Sequence, residues 1–327
     1  MKRLYYAGQP GDGYGWGVCN RYLSRELGKL CDVQCGTMVG QMDAPLFMPL
    51  RDHDFNPVSN ARGTRNFAYT FFESELGPEA PANAARYETV FCGSTWCQER
   101  MAAAGIHNTE VLVQGVDHEL FHPTKTKPNK DGKLRLFSGG KFEYRKGQDI
   151  VIAAVDLLAK KFEVELTASW YNQWPVTMVS MVKSKHLSEP VLAALQRICS
   201  SRNQHNAPSI QFLPPMPHTS LAAAMHQTDI GIFPNRCEGG TNLVLMEYLA
   251  CGKPAVVTYG TGHRDVMTAN CQRMDGEEDS AGWVHVTPAA VADAVERARK
   301  LKVEPPDTRW TWGRMAKQVH KRIYGHT

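Results

Sequence analysis

The chain has 327 residues, long for one typical domain and comfortable for two. Apolar residues make up 43% and charged residues 21%, as in an ordinary globular protein and unlike a disordered or fibrous chain. The formal net charge of +4 admits a polyanionic partner without requiring one, because Lys and Arg are interspersed with acids instead of forming runs.

No apolar stretch approaches the length needed to cross a bilayer. "MKRLYYAG" lacks an h-region for secretion, so a cytoplasmic protein is expected, in the host cytoplasm if the source is viral. The nine cysteines are scattered through apolar segments such as "YETVFCG" and "LACGKP", and no Cys/His group has zinc spacing. Reduced, buried thiols are the expectation.

From the N-terminus, "RLYYA" predicts a strand, "GQPGDGYGWG" a glycine-rich loop and "VCNRYLSRELGKL" a helix. "RNFAYTFF" and "ETVFCG" predict strands, "STWCQERMAAAG" a helix capped by Ser94, and "TEVLVQG" a further strand. "VDHELFHPTKTKPNKDGK" is polar and proline-bearing, the best domain boundary in the chain. Beyond it the alternation restarts with strand "LRLFSGG", helix "GQDIVIAAVDLLAKK", strand "FEVELTASW", a helix around "PVLAALQRICSS", strand "SIQFLPP" and helix "TSLAAAMHQ". A βαβ unit follows, "TDIGIFP" to "PAVVT", with its helix stopped at Gly252. After the break "VEPPD", the tail "TRWTWGRMAKQVHKRIYGHT" predicts a terminal helix.

The organisation expected is one Rossmann-like domain over residues 1–122, a second over 131–304, and a C-terminal helix over 305–327. Two runs of alternating strands and helices imply two parallel sheets with helices on both faces. Ligands bind such sheets beyond the carboxyl ends of the strands. The loops at 8–17, 139–147, 213–219 and 235–242 are therefore expected to point at one cleft between the domains.

The loop chemistry suits a phosphorylated sugar. In "SGGKFEYRKGQD", Lys141 and Lys146 flank a turn with Gly140 before and Gly147 after, where two ammonium groups can neutralise a diphosphate at a helix N-terminus. The plain alternative is that Lys141, Arg145 and Lys146 are a solvated surface. In "CEGGTNLVLMEYLACG", the N–H groups of Gly239, Gly240, Thr241 and Asn242 can meet phosphate or sugar oxygens. Glu238 and Glu247 suit sugar diols, since a carboxylate accepts two hydroxyl hydrogens at once. Glu247 fits a ribose and Glu238 a hexose, although an N-terminal glutamate also serves the helix dipole. Gly15 and Gly17 open the cleft for a bulky ligand; "GDGYGWGV" lacks dinucleotide spacing. No Asp-x-Asp pair stands ready for a metal, and none is expected.

The set "SGGKFEYRKGQD", "VLVQGVDHELFHP" and "RCEGGTNLVLMEYLACGKPAVVT" resembles the GT-B glycosyltransferases of family 4, the retaining type that uses nucleotide sugars. "QGVDHELFHP" resembles that family's interdomain segment, with Gln114 in place of its Asn, and "YGTGHRDV" fits the loop after the glutamate motif. The resemblance covers roughly residues 90 to 300. It implies that Lys141 and Lys146 are the phosphate-binding pair and that Glu247 holds the ribose hydroxyls. The family places seven residues between its glutamates; here eight intervene, so an ungapped match puts Gly239 where the first glutamate stands and shifts Glu238 by one. "LPPMPHT", with Met216, matches the loop beside the base. The resemblance also implies that the terminal helix crosses back to the first domain, with Trp310 and Trp312 as apolar anchors.

The N-terminal half matches less well. Glu73, in "YTFFESELGPEAP", follows a predicted strand and is a candidate catalytic carboxylate, or simply a loop carboxylate; His53 in "RDHD" is a second candidate. "SWYNQWP" (Trp170 to Pro175) is either an acceptor-stacking surface or packing. The reading is a metal-independent, retaining glycosyltransferase without a prosthetic group. Its substrates are a UDP- or GDP-sugar and a glycan or small-molecule acceptor. The chief alternative is a viral enzyme that glycosylates hydroxymethylated pyrimidines in DNA, with Arg51, Arg62, Arg65, "STWCQER" and "KQVHKR" available for phosphates. A catalytically inactive nucleotide-sugar binder and a nicotinamide-dependent dehydrogenase are lesser alternatives.

Overall fold

The computed structural model describes residues 2–11, 15–125, 131–172, 174–186 and 209–325. The helix predicted around "PVLAALQRICSS" lies outside the described residues. Contacts divide the chain into two compact units, Met1–Asp117 with Gly239–Leu243 and Thr308–Thr327, and His118–Glu238 with Val244–Asp307.

In the first unit the chain runs β1 (Arg3–Tyr6), α1 (Gly15–Leu27), β2 (Asp32–Cys35), β3 (Leu46–Arg51), β4 (Asn56–Pro57), β5 (Asn66–Thr70), α2 (Ala80–Ala84), β6 (Thr89–Cys92), α3 (Thr95–Ala103) and β7 (Thr109–Val111). The sheet order is β2-β1-β3-β5-β6-β7, with β4 paired to β3. Every pairing is parallel except β3 with β4. Gly15 and Gly17 stand in the first turn of α1, not in the open loop that their glycines suggest. The first N–H groups of a helix have no partner inside it, so a flexible residue costs less there than in mid-helix. Ser94 caps α3 as expected, its side chain accepting the Cys97 N–H.

In the second unit follow β8 (Leu134–Gly139), α4 (Gln148–Leu158), β9 (Val164–Ser169), β10 (Ser209–Phe212), α5 (His218–His226), β11 (Ile230–Phe233), α6 (Leu243–Ala250), β12 (Ala255–Thr258), β13 (Cys271–Met274), β14 (Glu277–Glu278), β15 (Val284–His285) and α7 (Pro288–Ala298). The six-stranded sheet has the order β10-β9-β8-β11-β12-β13, while β14 and β15 form a separate pair. Every strand pairing in the larger sheet is parallel. From β8 the chain first builds outward through β9 and β10, then returns to place β11 on the other side of β8. The loops after β8 and β11 leave neighbouring strand ends at that switch, the place where such sheets receive ligands. Isoleucine, leucine and valine from the sheet pack with α4 and α7 in one core that includes Leu136, Leu166, Ile232, Val155 and Val295.

The terminal helix α8 (Trp312–Tyr324) belongs to the first unit. Its buried residues Trp312, Met315, Ala316, Val319 and Ile323 recur at helical spacing and form one face. That face joins Val18, Cys19, Tyr22, Leu23 and Leu27 of α1 in the first unit's core. Trp312 is 3% exposed and stacks on Tyr22 with centroids 5.2 Å apart. Trp310 is only half-buried, so Trp312 is the main apolar anchor. Replacing Trp312 by Ala should destabilise the first unit by about 3–5 kcal/mol, and Trp310→Ala by less. Urea unfolding followed by circular dichroism checks this; equal losses from both substitutions would refute the anchor assignment.

Candidate functional site

The site is built at the switch between β8 and β11. After β8 the chain turns through Gly140 and Lys141, passes the 3₁₀ turn Tyr144–Lys146 and enters α4 at Gln148. Gly147, at φ +73°, makes the entry. A Cβ there would stand 2.3 Å from the Pro234 carbonyl oxygen, so any other residue would push the two loops apart. After β11 the chain runs from Pro234 through Asn235, Arg236 and Cys237 to Glu238, all buried.

These two loops deliver opposite charges to one spot. Lys146 Nζ lies 2.6 Å from Glu238 Oε1, and Arg145 Nη1 lies 3.4 Å from Glu238 Oε2. The Asn235 side-chain amide also donates to Glu238 Oε1. The Glu238 N–H donates to Thr261 Oγ1 at 3.0 Å, and its carbonyl accepts the Gly262 N–H at 2.8 Å. Thr261 has φ +45°, a left-handed backbone that a β-branched residue rarely adopts and that costs about 1–3 kcal/mol. Burial works to raise the Glu238 carboxyl, but Lys146 and Arg145 outweigh it and hold the group at about 2. His263 is buried in the same loop and is lowered to about 4, first by burial and against the pull of Glu238. Its Nδ1–H donates to the Thr258 carbonyl at 3.2 Å.

Lys141 stands more open, 36% exposed, with Nζ 3.2 Å from Glu143 Oε1 and 5.0 Å from the Trp174 ring centroid. Each of the two predicted phosphate lysines thus faces its own carboxylate. Gly140 is half-buried, and the Lys146 stem passes beside it. Glu247 is 3% exposed, in α6, with His218 Nε2 4.0 Å from its Oε1. Met216 is half-buried in the loop before α5. Trp170 belongs to the second unit's core. It packs against Phe142 and Phe212 and donates its indole N–H to Ser138 Oγ at 3.1 Å, whereas Trp174 is 41% exposed.

The residues Gly239, Gly240, Thr241 and Asn242 pack within the first unit. The Gly239 carbonyl accepts the Ser94 hydroxyl at 2.7 Å and the Cys97 thiol at 2.9 Å. A Cβ on Gly239 would stand 2.0 Å from the Phe72 carbonyl oxygen. Asn242 takes φ +61°. Glu73 is half-buried in the loop after β5. His53, elsewhere in that unit, hydrogen-bonds through Nε2 to Ser74 Oγ at 2.9 Å. Arg236, Asp149, Asn235 and His263 are the residues that sequence reasoning passes over. The readable signals are an arginine two positions before Glu238, an aspartate in the first turn of α4, and a histidine in "YGTGHRDV".

A two-sheet parallel α/β chain with a lysine–glutamate pair at the sheet's switch has the features of a GT-B glycosyltransferase. The chain belongs to the group 1 glycosyl transferases, whose family model matches residues 133–300; that membership displaces the dehydrogenase reading. It is 24% identical over 246 residues to the GDP-mannose-dependent alpha-(1-6)-phosphatidylinositol dimannoside mannosyltransferase of Mycobacterium tuberculosis, with 71% of this chain and 56% of the relative covered. The chain therefore spans little more than half the length of that curated relative.

Among solved structures, sucrose-phosphate synthase from Thermosynechococcus elongatus is similar in fold, with a TM-score of 0.62 at 13% identity, covering 98% of each chain. Anabaena HepE, solved in complex with UDP-glucose, has a TM-score of 0.62 at 13% identity and covers all of both chains. A glycosyltransferase from Rickettsia africae has a TM-score of 0.63 at 11% identity, covering 100% of this chain and 99% of that one. Among the described residues, no helix is long and apolar enough to cross a membrane, and no group of three His, Cys, Asp or Glu is placed to hold a metal ion.

The charges at this site set an acid limit. A histidine whose folded pKa is about 4, below its unfolded value, contributes stability that is lost as pH falls from about 6.5 toward 4. A carboxylate held at about 2 contributes stability that is lost as pH falls from about 4.3 toward 2. Urea midpoints should accordingly decline in two stages on acidification, and Glu238→Gln should lessen the lower stage, to which other lowered carboxylates such as Glu143 also contribute. An unchanged lower stage in that variant would show that Glu238 does not contribute to it.

Proposed function

We propose that the chain transfers a sugar from a UDP- or GDP-sugar to an acceptor hydroxyl of a glycan or small molecule. Retention at the anomeric carbon is the outcome that the family resemblance implies. The observation that carries this reading is the pairing of half-buried Lys146 and Arg145 with buried Glu238 at the β8/β11 switch, inside the segment matched by the family model. The names of the relatives support it, since one uses GDP-mannose and another was solved with UDP-glucose.

In the proposed cycle the donor diphosphate lies at the N-terminal end of α4, with Lys146 and Lys141 against its oxygens. As the bond from the sugar to the diphosphate breaks, negative charge grows on the leaving oxygen. A fixed ammonium group in a site of low dielectric stabilises that growth more than it stabilises the bound donor. Glu238, 2.6 Å from Lys146 Nζ, aims the ammonium group. Glu247 accepts the ribose hydroxyls, and Met216 lies beside the base. Gly140, whose own N–H donates to the Ser169 carbonyl at 3.0 Å, leaves room for the Lys146 stem beside the diphosphate. Gly239, Gly240, Thr241 and Asn242 are the proposed backbone N–H donors for phosphate and sugar oxygens, and Gly15 and Gly17 are proposed to admit the bulky ligand. Glu73 is the proposed carboxylate of the first unit on the acceptor side. No observation favours a DNA acceptor.

Incubating the protein with a panel of nucleotide sugars and acceptors, read by mass spectrometry, tests the reaction; hydrolysis or transfer of none of them would refute it. Lys146→Ala should lower turnover by about 10²–10³, the range for removing one transition-state donor. Glu247→Gln should weaken nucleoside diphosphate binding by about 1.5–3 kcal/mol, the range for a charge-assisted hydrogen bond, measured by calorimetry. Full turnover in the first variant or full affinity in the second would remove the corresponding role.

A further inference from the structure

Arg236 lies two residues before Glu238 and is 2% exposed. Its guanidinium makes a bidentate pair with Asp149, Nη1 to Oδ1 at 2.8 Å and Nη2 to Oδ2 at 2.7 Å. Asp149 is fully buried in the first turn of α4 and also accepts the Ser184 hydroxyl at 2.7 Å. The same guanidinium donates to the Tyr144 carbonyl and lies 3.7 Å from the centroid of the Tyr144 ring. Through its backbone, Arg236 donates its N–H to the Arg145 carbonyl at 2.7 Å and accepts the Val284 N–H at 2.9 Å. One residue therefore ties together the start of α4, the 3₁₀ turn that carries Lys146, and the loop that carries Glu238.

We infer that Arg236 is a positioning residue that fixes Lys146 for the diphosphate, acting through the Tyr144–Lys146 turn. None of its side-chain contacts named above is with Lys146 or Glu238. It meets the carbonyl and ring of Tyr144 and the helix that begins just after Lys146. A buried ion pair is weak evidence for net stability, because desolvation offsets the attraction. It is strong geometry, because a planar fork on a carboxylate fixes both distance and orientation. A lysine would keep the charge and lose the fork and the ring stacking. This inference rests on reading Lys146 as the phosphate cation, but the order it attributes to Lys146 exists without nucleotide.

The test is acetic anhydride labelling of the full chain, with each lysine quantified by mass spectrometry. In the wild type Lys146 is 11% exposed and paired with Glu238, so it should react slowly. In Arg236→Lys its rate should rise about five- to tenfold as the turn loosens, while Lys133 and Lys253 keep their wild-type rates. The paired variant Arg236→Gln with Asp149→Asn leaves no uncompensated buried charge and should behave the same way. In both, affinity for UDP or GDP should fall about tenfold relative to UMP or GMP. Unchanged Lys146 labelling in folded variants overturns the inference, as does a parallel rise at the reference lysines. Failure of both variants to reach the wild-type circular dichroism spectrum also overturns it, marking the pair as structural. If the wild type binds no nucleoside diphosphate, the proposed function falls, and the labelling still decides the positioning role.

Discussion

A carboxylate buried like Glu238 stays ionised only where cations and hydrogen-bond donors stand against it, because desolvation alone would neutralise it. Lys146, Arg145 and Asn235 supply those partners, and they come from two loops that meet only because β11 pairs beside β8. The constraint runs both ways. Lys146 in turn is held by Glu238, whose Oε1 lies 2.6 Å from its Nζ. The close approach of Gly147 to Pro234 follows from the same requirement that both loops converge. The chemistry proposed for this chain depends on that pair being in place before any donor arrives.

The charge pattern also explains why the two predicted lysines are not equivalent. Lys146 is enclosed and held by a carboxylate that is itself held on several sides. Lys141 is more open, faces Glu143, and lies over the Trp174 ring. An open lysine can follow a ligand as it moves, whereas an enclosed one keeps its position and adds no reorganisation when charge develops. In the first unit, Ser94 serves twice, as the cap of α3 and as a donor to the Gly239 carbonyl. Backbone approach there leaves no room for a side chain at position 239, although an ungapped family alignment expects a glutamate at that position.

Much of this was legible in the sequence. Most of the second sheet reads clearly because β8 to β12 are apolar runs alternating with helical stretches, whereas β13, "CQRM", has no apolar pattern to announce it. Ser94 announces its helix by a capping serine. β3 was hidden by Pro49, which argues against a strand. It is accommodated where β3 pairs in parallel with β5, Pro49 opposite Tyr69. β2, "DVQC", is short, largely exposed and at the sheet edge, so it carries no apolar signal. At the site, the lysines and glutamates were readable because their spacing falls on loop and helix positions. Arg236 and Asp149 were not, because they are 87 residues apart and a single arginine gives no sign of a buried partner. That information lies in the strand order.

The measurement that bears most directly on the central claim is a crystal structure of the protein with UDP or GDP bound. The account predicts the β-phosphate within hydrogen-bond distance of Lys146 Nζ, at the N-terminal end of α4, with the ribose hydroxyls on Glu247. A nucleotide bound with its phosphates away from both Lys146 and Lys141, or with Glu247 facing no part of it, would contradict the account.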